Sequence, residues 1–139
     1  MDARFLLDTD TCIYVRRRRP TEVMAKFQEL KPGETVLSVI TFGELLYGAA
    51  KSPQSAKAFL ELQEFSGLIP VLPLPADAGR AYGAIRAQLE AKGEMIGSND
   101  LWIAAHARAA DLTLVTNNVR EFKRVKGLKI QNWVSPATR

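Results

Sequence analysis

Three acidic residues lie in apolar segments whose local structure offers a carboxylate little structural role. Asp8 ends the apolar run 5–7, Glu44 interrupts the apolar segment 41–48, and Asp100 opens the apolar segment 101–105. An unpaired carboxylate in such surroundings is costly to bury. If the fold brings the three together, they form an oxygen-rich pocket of the kind that a hard divalent cation prefers.

Each of these carboxylates also has an ordinary structural explanation. Asp8 is a competent helix N-cap, and Asp100 lies in a first helical turn, where the helix dipole favours an anion. Asp100 nevertheless shares its helix face with apolar residues, which favours a partner or a metal. Glu44 points away from the apolar stripe of its helix, as a solvated side chain would. Gly43 and Gly48 are poor helix formers, and their positions suggest close approach by another group.

The composition indicates which metal such a site would take. His106 is the only histidine and Cys12 the only cysteine, so the nitrogen and sulfur ligands of a zinc site are missing. We expect His106, in the middle of a helix, to be a packing or surface residue rather than a general base. Carboxylates together with Asn, Thr and water suit Mg²⁺ or Mn²⁺. The expected chemistry is a metal-activated water that attacks a phosphodiester.

The charge distribution is consistent with a polyanionic partner. The net charge is +4 and the pI is about 9.4. A run of four arginines occupies 16–19, and a second basic group consists of Arg120, Lys123, Arg124 and Lys126. A basic rim of this kind could hold nucleic-acid phosphates, although solvated helix ends explain such charges equally well.

The elements that must position these residues follow from apolar runs punctuated by Gly and Pro. We predict strands at 4–7, 36–40, 69–74, 112–115 and 128–133, the third of them at a sheet edge. We predict helices at 9–18, 21–30, 41–50, 54–65, 76–92 and 98–110. This alternation predicts an α/β fold, with a central, mainly parallel β-sheet flanked by helices on both faces. The length of 139 residues predicts a single domain over 1–139.

The predicted sheet places polar groups at neighbouring strand ends. Ligands of open parallel sheets bind beyond the carboxyl ends of the strands. Asp8 follows the first predicted strand, and Thr116, Asn117 and Asn118 follow the strand at 112–115. We therefore expect these side chains to lie side by side, with Thr116 or Asn118 orienting water or substrate. Arg120 and Glu121, just beyond, are expected on a surface helix turn.

Four segments resemble, in the same order, the motifs of PIN-domain ribonucleases, and specifically of the VapC toxins of bacterial toxin–antitoxin pairs. The segments are LLDTDTCIY (6–14), SVITFGELLYG (38–48), IGSNDLWIAAHA (96–107) and LVTNNVREF (114–122). Together they span most of the chain. The first three contain the residues that match the family's acidic positions, which are Asp8, Glu44 and Asp100.

The resemblance implies a Mg²⁺-dependent endoribonuclease toxin that cuts tRNA or rRNA and stops growth. It also implies a cognate VapB-type antitoxin that blocks the site, a homodimer, and a toxin–antitoxin hetero-oligomer. Two positions depart from the family's usual pattern. Position 10 is often Asn and is Asp10 here, and the fourth acidic position of many PIN domains is matched by the neutral Asn118.

Two other functions stay open on the sequence. One is a non-catalytic PIN-fold module that binds RNA or an antitoxin. The other is a small Mg²⁺-dependent phosphatase, because Asp8-Thr9-Asp10 fits an Asp-x-Asp pattern. No apolar stretch approaches the ~20 residues that span a bilayer, and the N-terminal residues lack the pattern of a signal peptide. We therefore expect a cytoplasmic protein with no membrane partner.

Overall fold

A parallel β-sheet forms the centre of the structure, a computed structural model that describes residues 2–134. Within those residues five strands lie in the order β3-β2-β1-β4-β5, and every neighbouring pair is parallel. The strands are β1 Phe5–Leu7, β2 Thr35–Ser38, β3 Val71–Leu72, β4 Thr113–Val115 and β5 Ile130–Gln131. The predicted parallel α/β fold is thus confirmed, with β3 at an edge.

Seven helices within residues 2–134 connect the strands. They are α1 Thr9–Arg17, α2 Thr21–Gln28, α3 Val39–Lys51, α4 Ser55–Leu68, α5 Asp77–Lys92, α6 Ser98–Ala109 and α7 Val119–Phe122. None of the helices in this part of the chain has both the length and the apolar character that crossing a membrane requires.

The helices cover the two faces of the sheet because successive strand side chains point to opposite sides. Leu7 and Leu37 pack in one apolar cluster with residues of α1 to α4. Leu6 and Val36 pack in a second cluster with residues of α5, α6 and α7. Both faces of the central strands are therefore buried, as expected for parallel sheets with crossover helices.

The boundary between β2 and α3 differs from the sequence prediction. Val39 and Ile40 were predicted as the end of a strand, and they form the first turn of α3. The hydroxyl of Ser38 accepts a hydrogen bond from the backbone N–H of Ile40 at 3.2 Å, which caps the helix directly after the strand. This local bond outweighs the β-propensity of the two branched residues.

Candidate active site

Asp8 lies at the carboxyl end of β1, where it also caps α1. Its Oδ1 accepts a hydrogen bond from the backbone N–H of Thr9 at 2.8 Å. Its Oδ2 accepts one from the hydroxyl of Thr116, which follows β4, at 2.7 Å. The side chain is buried, with 6% of its surface exposed. The structure therefore brings together the two polar clusters that the sequence placed at neighbouring strand ends.

Glu44 connects α3 to two other elements and is not a freely solvated side chain. Its Oε1 accepts a hydrogen bond from the hydroxyl of Thr9 at 2.6 Å, and its Oε2 accepts one from the side-chain amide of Asn99 at 3.2 Å. Thr9 is adjacent to Asp8, and Asn99 is adjacent to Asp100. The carboxylate of Glu44 thus lies between the segments that hold the other two predicted acidic residues.

A fourth carboxylate, that of Glu121 on α7, joins this group. One of its oxygens accepts a hydrogen bond from the backbone N–H of Gly97 at 3.1 Å, and the other accepts one from the side-chain amide of Asn118. Glu121 also shares a hydrogen bond with Asp100. From sequence, Glu121 was expected on a surface helix turn and was not predicted to belong to the site. Its position three residues after Asn118, one helical turn further on, is the signal that could have found it.

Thr116, Asn117 and Asn118 form a polar loop that is tied to the first motif. Asn118 donates its backbone N–H to the hydroxyl of Thr116 at 2.9 Å. Asn117 donates its backbone N–H to a carboxylate oxygen of Asp10 at 3.1 Å. In this arrangement Thr116 orients Asp8, and Asn118 orients Glu121. Asp10 holds the loop that contains Thr116 and Asn118.

Burial and nearby negative charges raise the pKa of Asp8. Burial is the largest cause, and the nearby charge of Asp10 adds to it. The hydrogen bonds from Thr116 and Thr9 act in the opposite direction, and the charge of Glu44 raises the value further. Together these effects raise the pKa of Asp8 from 3.8 to about 6. Burial also raises the pKa of Asp10.

Asp100 and Glu121 titrate as a pair in which Asp100 retains the proton. Burial raises the pKa of Asp100 to about 7, and the hydrogen bond and charge of Glu121 contribute next. Burial alone would raise the pKa of Glu121. The hydrogen bonds from Asp100, Gly97 and Asn118 outweigh that effect and lower it. At neutral pH this pair therefore carries less negative charge than two free carboxylates would.

The donor set at this edge of the sheet has the chemistry of a hard-cation site. Its side-chain ligands are carboxylates, with hydroxyl and amide oxygens beside them, which Mg²⁺ and Mn²⁺ prefer. In residues 2–134, no three carboxylate, imidazole or thiol groups are arranged to hold one ion. The carboxylate oxygens of Asp8, Glu44 and Glu121 instead accept hydrogen bonds from N–H and O–H groups of the chain. The residues thus fit a divalent ion by type, and side chains must rotate before they could share one.

A groove about 750 Å³ in volume lies beside the site. Ile13, Met24, Phe27 and Phe65 contribute apolar surface to it, and Arg16, Arg17 and Arg18 line it as well. On α4, Phe65 is buried against this groove, whereas Phe59 is exposed.

Known proteins similar to this chain agree with its fold. Residues 5–128 match the family described as PIN domain. The chain is 40% identical over 131 residues to Ribonuclease VapC2 of Haemophilus influenzae, a match covering 94% of this chain and 98% of the relative. It is also 40% identical over 130 residues to the tRNA(fMet)-specific endonuclease VapC of Shigella flexneri, with the same coverage.

A solved structure supports the same relationship. DNA-bound VapBC from Salmonella typhimurium superposes with a TM-score of 0.89 at 37% identity, and the match covers 95% of this chain and 99% of that one. The chain therefore belongs to the PIN-domain family, whose fold is a nuclease fold. Within that family it is a VapC-type endoribonuclease toxin of a toxin–antitoxin system.

Proposed function

We propose that Asp8, Glu44 and Asp100 bind a divalent metal ion, Mg²⁺ or alternatively Mn²⁺, with Glu121 as a fourth acidic residue, and that this site cleaves tRNA. PIN-domain ribonucleases generally depend on a metal. The observation that carries the proposal is the meeting of four carboxylates at the carboxyl ends of the strands, where burial and the repulsion between neighbouring charges raise the pKa of Asp8 to about 6 and that of Asp100 to about 7. A divalent cation would relieve that repulsion.

The chain's own residues would prepare the site for hydrolysis. A bound divalent ion supplies Lewis acidity toward a phosphoryl oxygen and toward the attacking water. Thr116 holds Asp8 from the β4 side, and Thr9 holds Glu44 from the α1 side. Asn118 holds Glu121 close to Asp100. These bonds hold the carboxylates of Asp8, Glu44 and Glu121 at the site in the metal-free chain, and the side chains would rotate away from these donors to share an ion.

The substrate would be held by cations beside the site. Arg120 on α7 and Lys123, which directly follows α7, are exposed and lie on either side of Glu121 in the sequence. Phosphate contacts of this kind supply affinity without reading sequence. The Shigella flexneri relative is named for tRNA(fMet), and tRNA is therefore the first substrate to test, with rRNA second.

A VapB-type antitoxin is the partner that we propose for the groove beside the site. The Salmonella typhimurium structure is of a VapBC complex. The apolar surface of the groove suits the apolar face of an amphipathic segment. Arg16 already pairs with Glu61 at 3.6 Å, so Arg17 and Arg18 are the cations that would pair with acidic side chains of that segment. Such a segment would occlude Glu44, which also lines the groove. The result would be a toxin–antitoxin hetero-oligomer with an inactive nuclease.

We also propose a homodimer, for which the outer face of α3 is a candidate surface. Val39 and Tyr47 are exposed there, Tyr47 to 64%. Apart from the chain neighbours of Gly43 and the adjacent backbone of α3, no described atom lies within 4 Å of the position that a side-chain carbon at Gly43 would occupy. The close approach that the sequence suggested at Gly43 is therefore not made by residues 2–134, and a second copy could make it. The cytoplasmic location stays a prediction.

One cleavage experiment tests the enzymatic proposal. Purified protein, freed of antitoxin, is incubated with total tRNA and with rRNA in Mg²⁺, in Mn²⁺ and in EDTA, and the 5′ ends of the products are sequenced. We expect cleavage at one or a few sites in tRNA that requires the metal. The variant Asp8→Asn should give no product and should not arrest growth. Cleavage that persists in EDTA, or in this variant, would contradict the proposal.

A further inference from the structure

The only histidine of the chain is buried and takes no part in the chemistry described above. His106 on α6 has 1% of its surface exposed, and its Nδ1 lies 2.9 Å from the hydroxyl oxygen of Ser38. Ser38 is itself fully buried and caps α3 through the N–H of Ile40. A buried imidazole is tolerated only with a hydrogen-bonding partner, because the unpaired group would lose its solvation.

Within residues 2–134, two side-chain hydrogen bonds join α3 or its cap residue Ser38 to α6, and the bond between His106 and Ser38 is one of them. The other is the bond from Asn99 to Glu44. Ser38 and Glu44 are six residues apart, and Asn99 and His106 are seven apart, so at 1.5 Å per residue the two pairs span similar lengths, about 9 Å and about 10.5 Å. The two links occur in opposite order along the two helices. They therefore join α3 and α6 as an antiparallel pair, with the acidic residues at one end.

The two hydrogen bonds differ in whether they can persist when a metal ion binds at the site. The link from Asn99 uses an oxygen of Glu44 in a solvent-exposed position, and a metal bound by that oxygen would compete for it. The link from His106 is buried and uses no acidic residue. Burial also lowers the pKa of His106, so the imidazole is neutral at neutral pH. It is thus the link that can persist when the site is loaded.

We propose that His106 is a positioning residue that, through Ser38, sets the placement of α3 against α6 and hence the separation of the Glu44 and Asp100 carboxylates. This inference rests on the proposed function, because the separation matters only if the two carboxylates serve one metal ion. His106 itself touches neither substrate nor ligand.

Three substitutions separate this role from simple packing. His106→Leu removes the hydrogen bond and keeps a buried apolar side chain. His106→Asn places an amide nitrogen near the position of Nδ1 and keeps a link to Ser38, whereas His106→Gln carries its amide beyond that position. Leu89→Ala, at a fully buried residue of α5, is the control for lost stability without a change at the link between α3 and α6.

Mn²⁺ binding to the RNA-free protein is the first readout, measured by the electron paramagnetic resonance of free Mn²⁺. The second is the split between kcat and KM for tRNA cleavage well below the unfolding temperature of each variant. We expect His106→Leu and His106→Gln to weaken Mn²⁺ binding and lower kcat by about tenfold, the lower end of the range for residues that orient metal ligands. KM should not change. His106→Asn should recover most of both losses, and Leu89→Ala should show neither.

The outcomes distinguish the two levels of inference. If wild-type protein binds no Mn²⁺ and cleaves no RNA, the proposed function fails. If wild-type protein is active and His106→Leu matches it in Mn²⁺ affinity and kcat, the positioning role is wrong. If His106→Leu does not fold, the comparison of His106→Asn with His106→Gln decides. Equal Mn²⁺ affinity and kcat in those two variants would overturn the role.

Discussion

The carboxyl group of Asp8 serves the fold and the candidate site in opposite ways. As the cap of α1 it accepts a backbone hydrogen bond and stabilises the helix start. As a buried acid beside Asp10 and Glu44 it resists ionisation, and its pKa is raised to about 6. A group whose pKa is higher in the folded state binds more protons when folded. The free energy of unfolding therefore falls as pH rises from 3.8 to about 6.

The first prediction follows from this conflict. Above pH 6 the charged Asp8 costs the fold about 1–3 kcal/mol, and Asp8→Asn removes that charge. We expect this variant in EDTA at pH 7.5 to unfold several degrees above the wild type, while losing RNA cleavage. Thermal unfolding followed by circular dichroism measures the shift. Asp77→Asn, at an exposed position of α5, is the matched control and should show no shift.

A lower unfolding temperature for Asp8→Asn would show that the cap outweighs the charge. The electrostatic description of the site would then be wrong at its central residue, even if cleavage were lost.

The second prediction concerns the pH dependence of cleavage. Asp8 and Asp100 must lose their protons before they bind a metal, and their pKa values are raised to about 6 and about 7. The cleavage rate should therefore rise as pH increases through this range. More Mg²⁺ should move the midpoint to lower pH, because metal binding releases protons. Initial rates on a labelled tRNA at two Mg²⁺ concentrations measure both effects. If the pH midpoint of the cleavage rate did not change with the Mg²⁺ concentration, Asp8 and Asp100 would not be metal ligands.

Glu121→Gln refines this test at the same site. Its charge and hydrogen bond are among the causes that raise the pKa of Asp100. The variant should therefore cleave more slowly, and its residual activity should have a lower pH midpoint than that of the wild type. An unchanged midpoint with reduced activity would leave Glu121 as a ligand only, without the coupling to Asp100.

The strands and helices that carry the site residues determine which of those residues could be predicted from sequence. Asp8 and Thr116 were predictable as neighbours because each directly follows a buried strand, and parallel strands present their carboxyl ends at one edge. Glu121 was not predictable in the same way. Its place depends on the direction in which α7 turns after β4, and that direction is stabilised by a bond to Gly97, 24 residues earlier in the chain.

The start of α3 shows a second limit of local patterns. Val39 and Ile40 have strand propensity, yet the cap from Ser38 starts the helix at Val39. Ser38 is in turn bonded to His106, which is 68 residues away. A boundary that depends on such a contact is decided by tertiary structure, and propensity cannot reveal it.

The third prediction concerns α7 as a phosphate-binding element. Arg120 and Lys123 are exposed beside Glu121. In an Asp8→Asn background that does not cleave, changing both to Ala should weaken tRNA binding and reduce the salt slope by about 1 for each lost cation. Fluorescence anisotropy at several salt concentrations measures the slope.

The control for this experiment removes a cation at the amino ends of the strands, away from the candidate site. Lys129 precedes β5 and pairs with Asp111, which precedes β4. Lys129→Ala should leave the salt slope of tRNA binding unchanged. An equal loss per removed cation in the two variants would mean that tRNA responds only to net charge, and α7 would lose its proposed role.

At the scale of the whole molecule, the order of the strands accounts for the convergence of the site. β1 lies between β2 and β4, so Asp8 after β1 has α3 on one side and the 116–118 loop on the other. Four sequence motifs spread over most of the chain thus meet at one edge. Sequence patterns predicted this arrangement through the alternation of strands and helices. They could not show how the carboxylate oxygens would be oriented. In residues 2–134 these oxygens accept hydrogen bonds from groups of the chain, and they are not arranged around one ion position.

The fourth prediction is that a divalent metal stabilises the whole domain. Mg²⁺ that binds the folded chain and not the unfolded chain raises the unfolding temperature as its concentration increases. The rise should be larger at pH 7.5 than at pH 5.5, because the raised pKa values of Asp8 and Asp100 leave these groups protonated at the lower pH. Scanning calorimetry measures the shift at each pH. A shift of equal size in Asp8→Asn would mean that Mg²⁺ binds elsewhere.

Anomalous diffraction from crystals of the protein soaked in Mn²⁺ tests the central claim most directly, because it locates the metal without reference to activity. We expect a manganese peak within coordination distance of Asp8 and of at least one of Glu44, Asp100 and Glu121, with the carboxylates rotated away from their internal donors. A peak at another surface, or well-ordered carboxylates with no metal between them at saturating Mn²⁺, would contradict it.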